Sequence, residues 1–295
     1  MMMGKVMEYR ADSLTRKAYA KINLGLDVVR RLENGYHEVR MIMQTVGICD
    51  VLTFRVAESG VQITTDSGEL PVNEDNLIYK AARLLMDTCG VRAGVEIHLE
   101  KHIPIAAGMA GGSSDAAATL QGLNELFALG MSSEQLRQLG VRIGADVPYC
   151  IMGGTALAEG IGEILTPLPP APKCSLLIAR PDIQVSTRYV YEHLDAGEMW
   201  THPDIDGIQS AVRDGDLAGI ASRLGNVLES VTVEKYPVID RIKQEMLLSG
   251  AMGSLMSGSG PTVFGIYGSR EQAQAARARL EKLGLAGAIF VTEFV

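Results

Sequence analysis

The chain has 295 residues, enough for two domains of ordinary size. Hydrophobic residues make up 47% and charged residues 21%, a globular balance with ample material for a core. The formal net charge of −8 argues against a nucleic-acid-binding module, which carries a basic face, but leaves room for a phosphate-bearing small ligand in a local basic pocket.

In chain order, the N-terminal MMMGKVMEYRADSLTRK mixes charges throughout and lacks the apolar core of a signal peptide. Residues 18–29, AYAKINLGLDVV, alternate strictly. Ala18, Ala20, Ile22, Leu24, Leu26 and Val28 share one face and Tyr19, Lys21, Asn23 and Asp27 the other, which predicts a half-buried strand. Asn34-Gly35 in RRLENGYHE signals a hairpin turn. Separate strands are predicted over 39–46, 50–56 and 61–64. Residues 76–89 have helical spacing through Leu77, Ala81, Leu84 and Leu85, with Gly90 as the stop. GVEIHLEKHI alternates again, setting Val95, Ile97 and Leu99 against Glu96, His98 and Glu100. Helices are predicted over 114–128, and from Ser132, where Ser132 and Gln135 fit a capping box.

Beyond GADVPYC, TALAE and EILTPL read as short strands hinged at Gly160 and Gly162. TPLPPAPKC carries four prolines between Thr166 and Cys174 and reads as a stiff connector, so the expected domains are residues 1–166 and 167–295. SLLIA is a short buried strand, followed by helical material from Thr187 to about Leu248. A β-rich passage, GSLMSGSGPTVFGIY, precedes a helix from Ser269 to Leu283 with a second capping box, Ser269 and Gln272, and Gly284 as its stop. AIFVTEF is the last strand. Both halves read as α+β without a βαβ rhythm. No apolar run nears the roughly 20 residues of a membrane span, so a cytoplasmic protein with no membrane partner is expected.

Residues 104–120, PIAAGMAGGSSDAAATL, pose the main chemical question. They match neither G-x-x-x-x-G-K-[ST] nor G-x-G-x-x-G. What remains is a strand, closely spaced glycines and a helix start near Ser113 and Ser114. Two readings stand on the residues alone: a strand-to-helix turn with a serine cap, or an anion site of close backbone amides at a helix N-terminus. The four cysteines and five histidines form no C-x-x-C or H-E-x-x-H pattern, so neither structural zinc nor a disulfide framework is expected.

P-x-x-x-G-x-x-G-G-S-S-D-A-A resembles the signature loop of the GHMP kinases. The opening AKINLGLDVVRRLENGYHEV, GADVPYCIMGG and MSGSGPTVFG match one branch of that superfamily in the right order, so the resemblance runs from about Ala18 to Phe264. It implies an ATP-dependent kinase of the non-mevalonate isoprenoid route, acting on the 2-hydroxyl of a cytidine diphosphate-linked methylerythritol. It also implies a two-domain GHMP kinase fold, in which a ribosomal-protein-S5-like nucleotide domain precedes a smaller α/β substrate domain. The sequence departs from the family at Met109, where leucine is usual, and at Ala110, where many members have glycine. Alanine is expected to fit there only if residue 110 avoids positive φ.

The resemblance also assigns roles. Lys21 is implied as the catalytic lysine and Asp146 as the acidic residue at the acceptor hydroxyl, whereas the residues alone read as a solvated strand face and a turn or helix-cap residue. Pro104, Ile105, Ala106, Ala107, Gly108, Met109, Ala110, Gly111, Gly112, Ser113 and Ser114 are implied to hold the ATP phosphates, with Mg2+ accompanying them and Ser114 as its protein contact. Asn23, Tyr36, His37, Thr187 and Tyr191 are implied to bind the acceptor, Tyr36 against cytosine and His37 at the base edge. Tyr191 also reads as a core residue. Gly258, Ser259 and Gly260 form a second glycine loop, near the phosphates or simply a tight turn. The small-molecule acceptor is the only partner implied, with the chain as a monomer or homodimer.

Overall fold

The structure is a computed structural model describing residues 13–33, 35–194 and 202–295. Asn34 of the expected hairpin turn and residues 1–12 of the N-terminal stretch lie outside the described residues. Contacts group the chain into two units, each assembled from several segments. The first holds the described residues through Tyr19, Cys49–Ile103 and Gly111–Met152; the second holds Ala20–Ile48, Pro104–Ala110 and Gly153–Val295. The proline-rich residues 166–174 fall inside the second unit and not at a division between the two.

Two long strands, β1 (Ser13–Arg31) and β2 (His37–Ala57), pair with each other. The sequence predicts two strands where β2 is one. It runs unbroken through Gly47, where a Cβ would lie 2.8 Å from Thr292 Oγ1. Glycine is there for a close approach within a continuous strand.

In the first unit, β3 (Val61–Thr65) runs parallel to β4 (Gly94–Glu100), and β4 runs antiparallel to the second half of β2. Four helices belong to this unit: α1 (Leu77–Cys89), α2 (Gly111–Leu126), α3 (Ser133–Val141) and α4 (Val147–Met152). Leu52, Phe54, Val95, Ile97 and Leu99 from the strands share one buried cluster with Ala81, Leu85, Ala116, Leu120 and Leu123 from the helices. The polar alternates of β4 remain exposed. The Asn76 side chain accepts from the Ile78 amide at the start of α1, and Gly90 closes that helix in the left-handed region. At α3 the capping box is complete, with Ser132 and Gln135 each bonding the other's backbone amide. Helix α2 begins at Gly111, three residues before the expected start.

In the second unit, the first half of β2 pairs with β5 (Thr155–Glu159), which pairs with β6 (Ile164–Pro167). A separate antiparallel sheet is built from β7 (Ser175–Arg180), β9 (Gly253–Met256), β10 (Val263–Tyr267) and β11 (Ala288–Glu293), in the order β11-β7-β10-β9. Helices α9 (Val238–Leu248) and α10 (Arg270–Leu283) pack on this sheet. Between β7 and α9 lie α5 (Thr187–His193), α6 (Ile205–Asp214), α7 (Leu217–Ser222), α8 (Glu229–Lys235) and the short β8 (Gly225–Asn226). β8 runs parallel to β1, with Gly225 opposite Gly25 and Asn226 opposite Leu26. Among the described residues, no helix is long and apolar enough to cross a membrane.

Candidate active site

The centre of β1 departs from the half-buried strand expected of it. Ala20 to Leu26 are buried on both faces, and the polar alternates are no exception: Lys21 is 5% exposed and Asn23 0%. Burying an ammonium is expensive unless polar partners replace water. Lys21 Nζ donates to Asn23 Oδ1 at 2.9 Å, and Asn23 Nδ2 in turn donates to Met41 Sδ at 3.2 Å. The Lys21 backbone amide donates to the Met109 carbonyl at 3.2 Å, so the strand that carries the lysine also holds the glycine-rich loop.

Within that loop, Ala107 and Met109 turn inward and are buried. Methionine in place of leucine is thus a near volume-conserving change in a packed position. Gly108 has φ +73°, and a Cβ there would lie 2.4 Å from the Ser257 carbonyl and 3.0 Å from the Gly260 carbonyl. The Ser257 hydroxyl donates to the Gly108 carbonyl at 3.0 Å. The expectation that residue 110 avoids positive φ does not hold: Ala110 sits at φ +56° and Ala106 at +52°. Each alanine carries left-handed strain of about 1–2 kcal/mol, which packing of the adjacent Ala107 and Met109 overrides.

The second glycine loop is the support of the first. Gly258, Ser259 and Gly260 are buried, with φ +57° at Gly258 and +90° at Gly260. Asn226 Nδ2 donates to the Gly258 carbonyl at 2.7 Å and the Met256 carbonyl at 2.9 Å, while its Oδ1 accepts from the Leu228 amide at 3.0 Å. Sequence reasoning missed Asn226 and Ser257. Nothing in GNVL or MSGSG sets a clamping side chain apart from any other polar residue near a turn. Ser259 Oγ and Thr187 Oγ1 are 2.8 Å apart, which joins the start of α5 to this loop.

Thr187 is exposed and Tyr191 only partly buried, so Tyr191 is not a core residue. One helical turn separates them, which sets both on one face of α5. The Tyr191 ring lies 5.0 Å from that of His37, centroid to centroid, at an interplanar angle of 34°. Burial, and secondarily the nearby Arg31 charge, lowers the His37 pKa from its ordinary value, favouring the neutral ring. Tyr36 is 59% exposed, and its carbonyl accepts from the Leu32 amide in the turn between β1 and β2. Thus Lys21, Asn23, residues 104–110, Gly258–Gly260 and Thr187 form one connected set in the second unit, with His37 and Tyr191 a tilted ring pair in the same unit.

Gly111, Gly112, Ser113, Ser114 and Asp146 belong to the first unit. The first four open α2, where helix geometry leaves amide donors without intrahelical partners. Ser114 is no cap and does not fit a metal ligand. It is 3% exposed, and its hydroxyl donates to the Tyr19 carbonyl at 2.6 Å. Among the described residues, no group of three His, Cys, Asp or Glu side chains is arranged to hold a metal ion. Asp146 immediately precedes α4, and its carbonyl accepts from the Cys150 amide at 3.0 Å.

Comparison with known proteins agrees with this architecture. Residues 76–154 match the GHMP kinases N terminal domain and residues 208–285 the GHMP kinases C terminal domain. The 4-diphosphocytidyl-2-C-methyl-D-erythritol kinase of Lachnospira eligens is 55% identical over 283 residues, covering 96% of this chain and 98% of its own. That of Lachnoclostridium phytofermentans is 54% identical, covering 90% of this chain and 91% of its own. A crystal structure of 4-(cytidine 5'-diphospho)-2C-methyl-D-erythritol kinase superposes with a TM-score of 0.82 at 32% identity, over 95% of this chain and 99% of that one. A homoserine kinase from Cytophaga hutchinsonii shares the fold, with a TM-score of 0.79 at 23% identity, over 98% of this chain and 97% of that one. The chain belongs to the GHMP kinases, in the family of the 4-diphosphocytidyl-2-C-methyl-D-erythritol kinases.

Proposed function

We propose that this protein transfers the γ-phosphoryl group of ATP to the 2-hydroxyl of 4-diphosphocytidyl-2-C-methyl-D-erythritol, as an enzyme of the non-mevalonate route to isoprenoid precursors. The relatives' shared name supports the acceptor. The observation that carries the chemistry is the buried Lys21, bonded through its side chain to Asn23 and through its amide to the glycine-rich loop.

In this reading the loop amides and the first turn of α2 hold the donor phosphates. Lys21 stabilises the negative charge spread over the transferring phosphoryl group, in a setting poor in water. Asp146 orients the acceptor hydroxyl and takes its proton late, as the O–P bond to the acceptor forms and the bond to ADP breaks. Tyr36, His37 and Tyr191 supply ring surfaces and a base-edge partner for cytosine, while Asn23 and Thr187 bond the polyol. Mg2+ would be brought by the triphosphate, whose oxygens are its preferred ligands. The free cysteines suit the reducing cytoplasm, where we place the enzyme as a monomer or homodimer.

The test is ADP release with a panel of acceptor alcohols. Turnover is expected with the cytidylyl acceptor and not with homoserine or mevalonate, and turnover of homoserine alone would overturn the assignment. Asp146→Asn is expected to lower kcat by about 10²–10⁴-fold; a near wild-type rate would remove Asp146 from its role.

A further inference from the structure

Three buried charges stand apart from the chemistry just described. Asp50, on β2, is fully buried, and its Oδ1 accepts from the backbone amides of His102 at 2.6 Å and Ile103 at 2.7 Å. Its Oδ2 meets Lys101 Nζ, which also lies 3.3 Å from Asp115 Oδ2. Asp115 stands in the opening turns of α2 and is 2% exposed, and its Oδ1 has no hydrogen-bond partner among the described residues. A Cβ on Gly111 would lie 3.0 Å from Lys101 Nζ and 3.1 Å from Ile103 Cγ2. The first residue of α2 therefore lies beside both the Lys101 ammonium and the side chain of Ile103, the last residue before Pro104.

These contacts bracket residues 104–110. Asp50 fixes the segment that enters the loop, and through Lys101 it reaches the helix into which the loop runs. A buried ion cluster is a weak source of stability, since well-packed apolar residues often do as well, so its geometry is the better explanation for its presence. Fixing both ends of a short loop also removes most of the conformations it would otherwise sample. Burial raises the Asp115 pKa well above the ordinary carboxylate range, with Lys101 acting the other way and Asp50 adding to the rise.

We propose that Asp50, Lys101 and Asp115 are positioning residues for the donor loop, holding its entry and exit at the separation the ATP phosphates require. This rests on the reading of residues 104–114 as the ATP loop.

The test compares Lys101→Met with wild type, in steady-state kinetics and in backbone amide exchange. KM for ATP is expected to rise about tenfold or more while KM for the acceptor stays within about twofold. Exchange is expected to quicken together at residues 102–103 and 111–115. An unchanged KM for ATP, equal rises in both KM values, or faster exchange at one end only would overturn the proposal. If Lys101→Met does not fold, Asp50→Asn decides on the same readouts: it keeps an acceptor for the two amides but turns a donor toward the ammonium. Failure of both variants to fold would reduce the cluster to a structural role and overturn the proposal as well. Ser113→Glu separates the two readings by setting a carboxylate among the first amides of α2. Undiminished ATP binding in that variant would sink the ATP-loop reading itself. Loss of ATP binding there, alongside a wild-type KM for ATP in Lys101→Met, would sink only the positioning role.

Discussion

In β4 the polar alternates Glu96, His98 and Glu100 stand in solvent, whereas in β1 the polar alternates Lys21 and Asn23 are buried. Both strands alternate apolar and polar residues with period two, and each apolar face is buried. The difference lies in what meets the polar face. His98 bonds Thr64 across an exposed ladder at 2.9 Å, a contact made largely in water. Lys21 bonds Asn23 in a closed interior, where polar partners must take the place of solvent and each contact gains strength from the low dielectric. On these two strands it is the buried, partnered polar face that carries the candidate site, and the solvated one that does not.

The sharpest way to break this distinction is to remove the charge on each strand. Lys21→Met is expected to lower kcat/KM by about 10²–10³-fold, whereas Glu96→Gln on β4 leaves the rate unchanged; comparable rates for the two variants would erase the contrast. Next in size is Gly108→Ala in the loop that β1 holds. Left-handed strain adds to the collision with the Ser257 carbonyl, so urea unfolding should show a loss of about 3 kcal/mol. Asn226→Ala leaves the Gly258 and Met256 carbonyls without their buried donor, and the same titration should register a loss of about 1–3 kcal/mol. The smallest effect is a gain. Ala110→Gly relieves about 1–2 kcal/mol of left-handed strain and gives back about 0.4–1 kcal/mol in chain entropy, so a net stabilisation between about 0 and 1.6 kcal/mol is expected in thermal unfolding.

Much of the fold was legible because its signals are local. The Asn76 cap and Gly90 stop of α1, the capping box of α3 and the alternation of β4 each depend on residues within a few positions of one another. Where the sequence misled, a distant segment decided the outcome. The strands predicted over 39–46 and 50–56 are one strand passing through Gly47 beside Thr292, and Ala110 reads as incompatible with positive φ until the loop around it is seen anchored by buried neighbours. Of the candidate site, the motifs named the loops and the lysine. They did not show that Lys21 is buried, that the second loop underlies the first, or that Asn226 holds it, because all three are consequences of tertiary packing.

The interlock at Gly108 has a bearing on inhibition. A compound that reads the backbone at this position faces a target with few routes to escape. Any side chain introduced there meets the Ser257 carbonyl, and the Cβ-bearing residue would also have to hold φ +73°. Resistance by substitution at residue 108 would require the second loop to change shape at the same time, a coordinated step that single mutations do not supply.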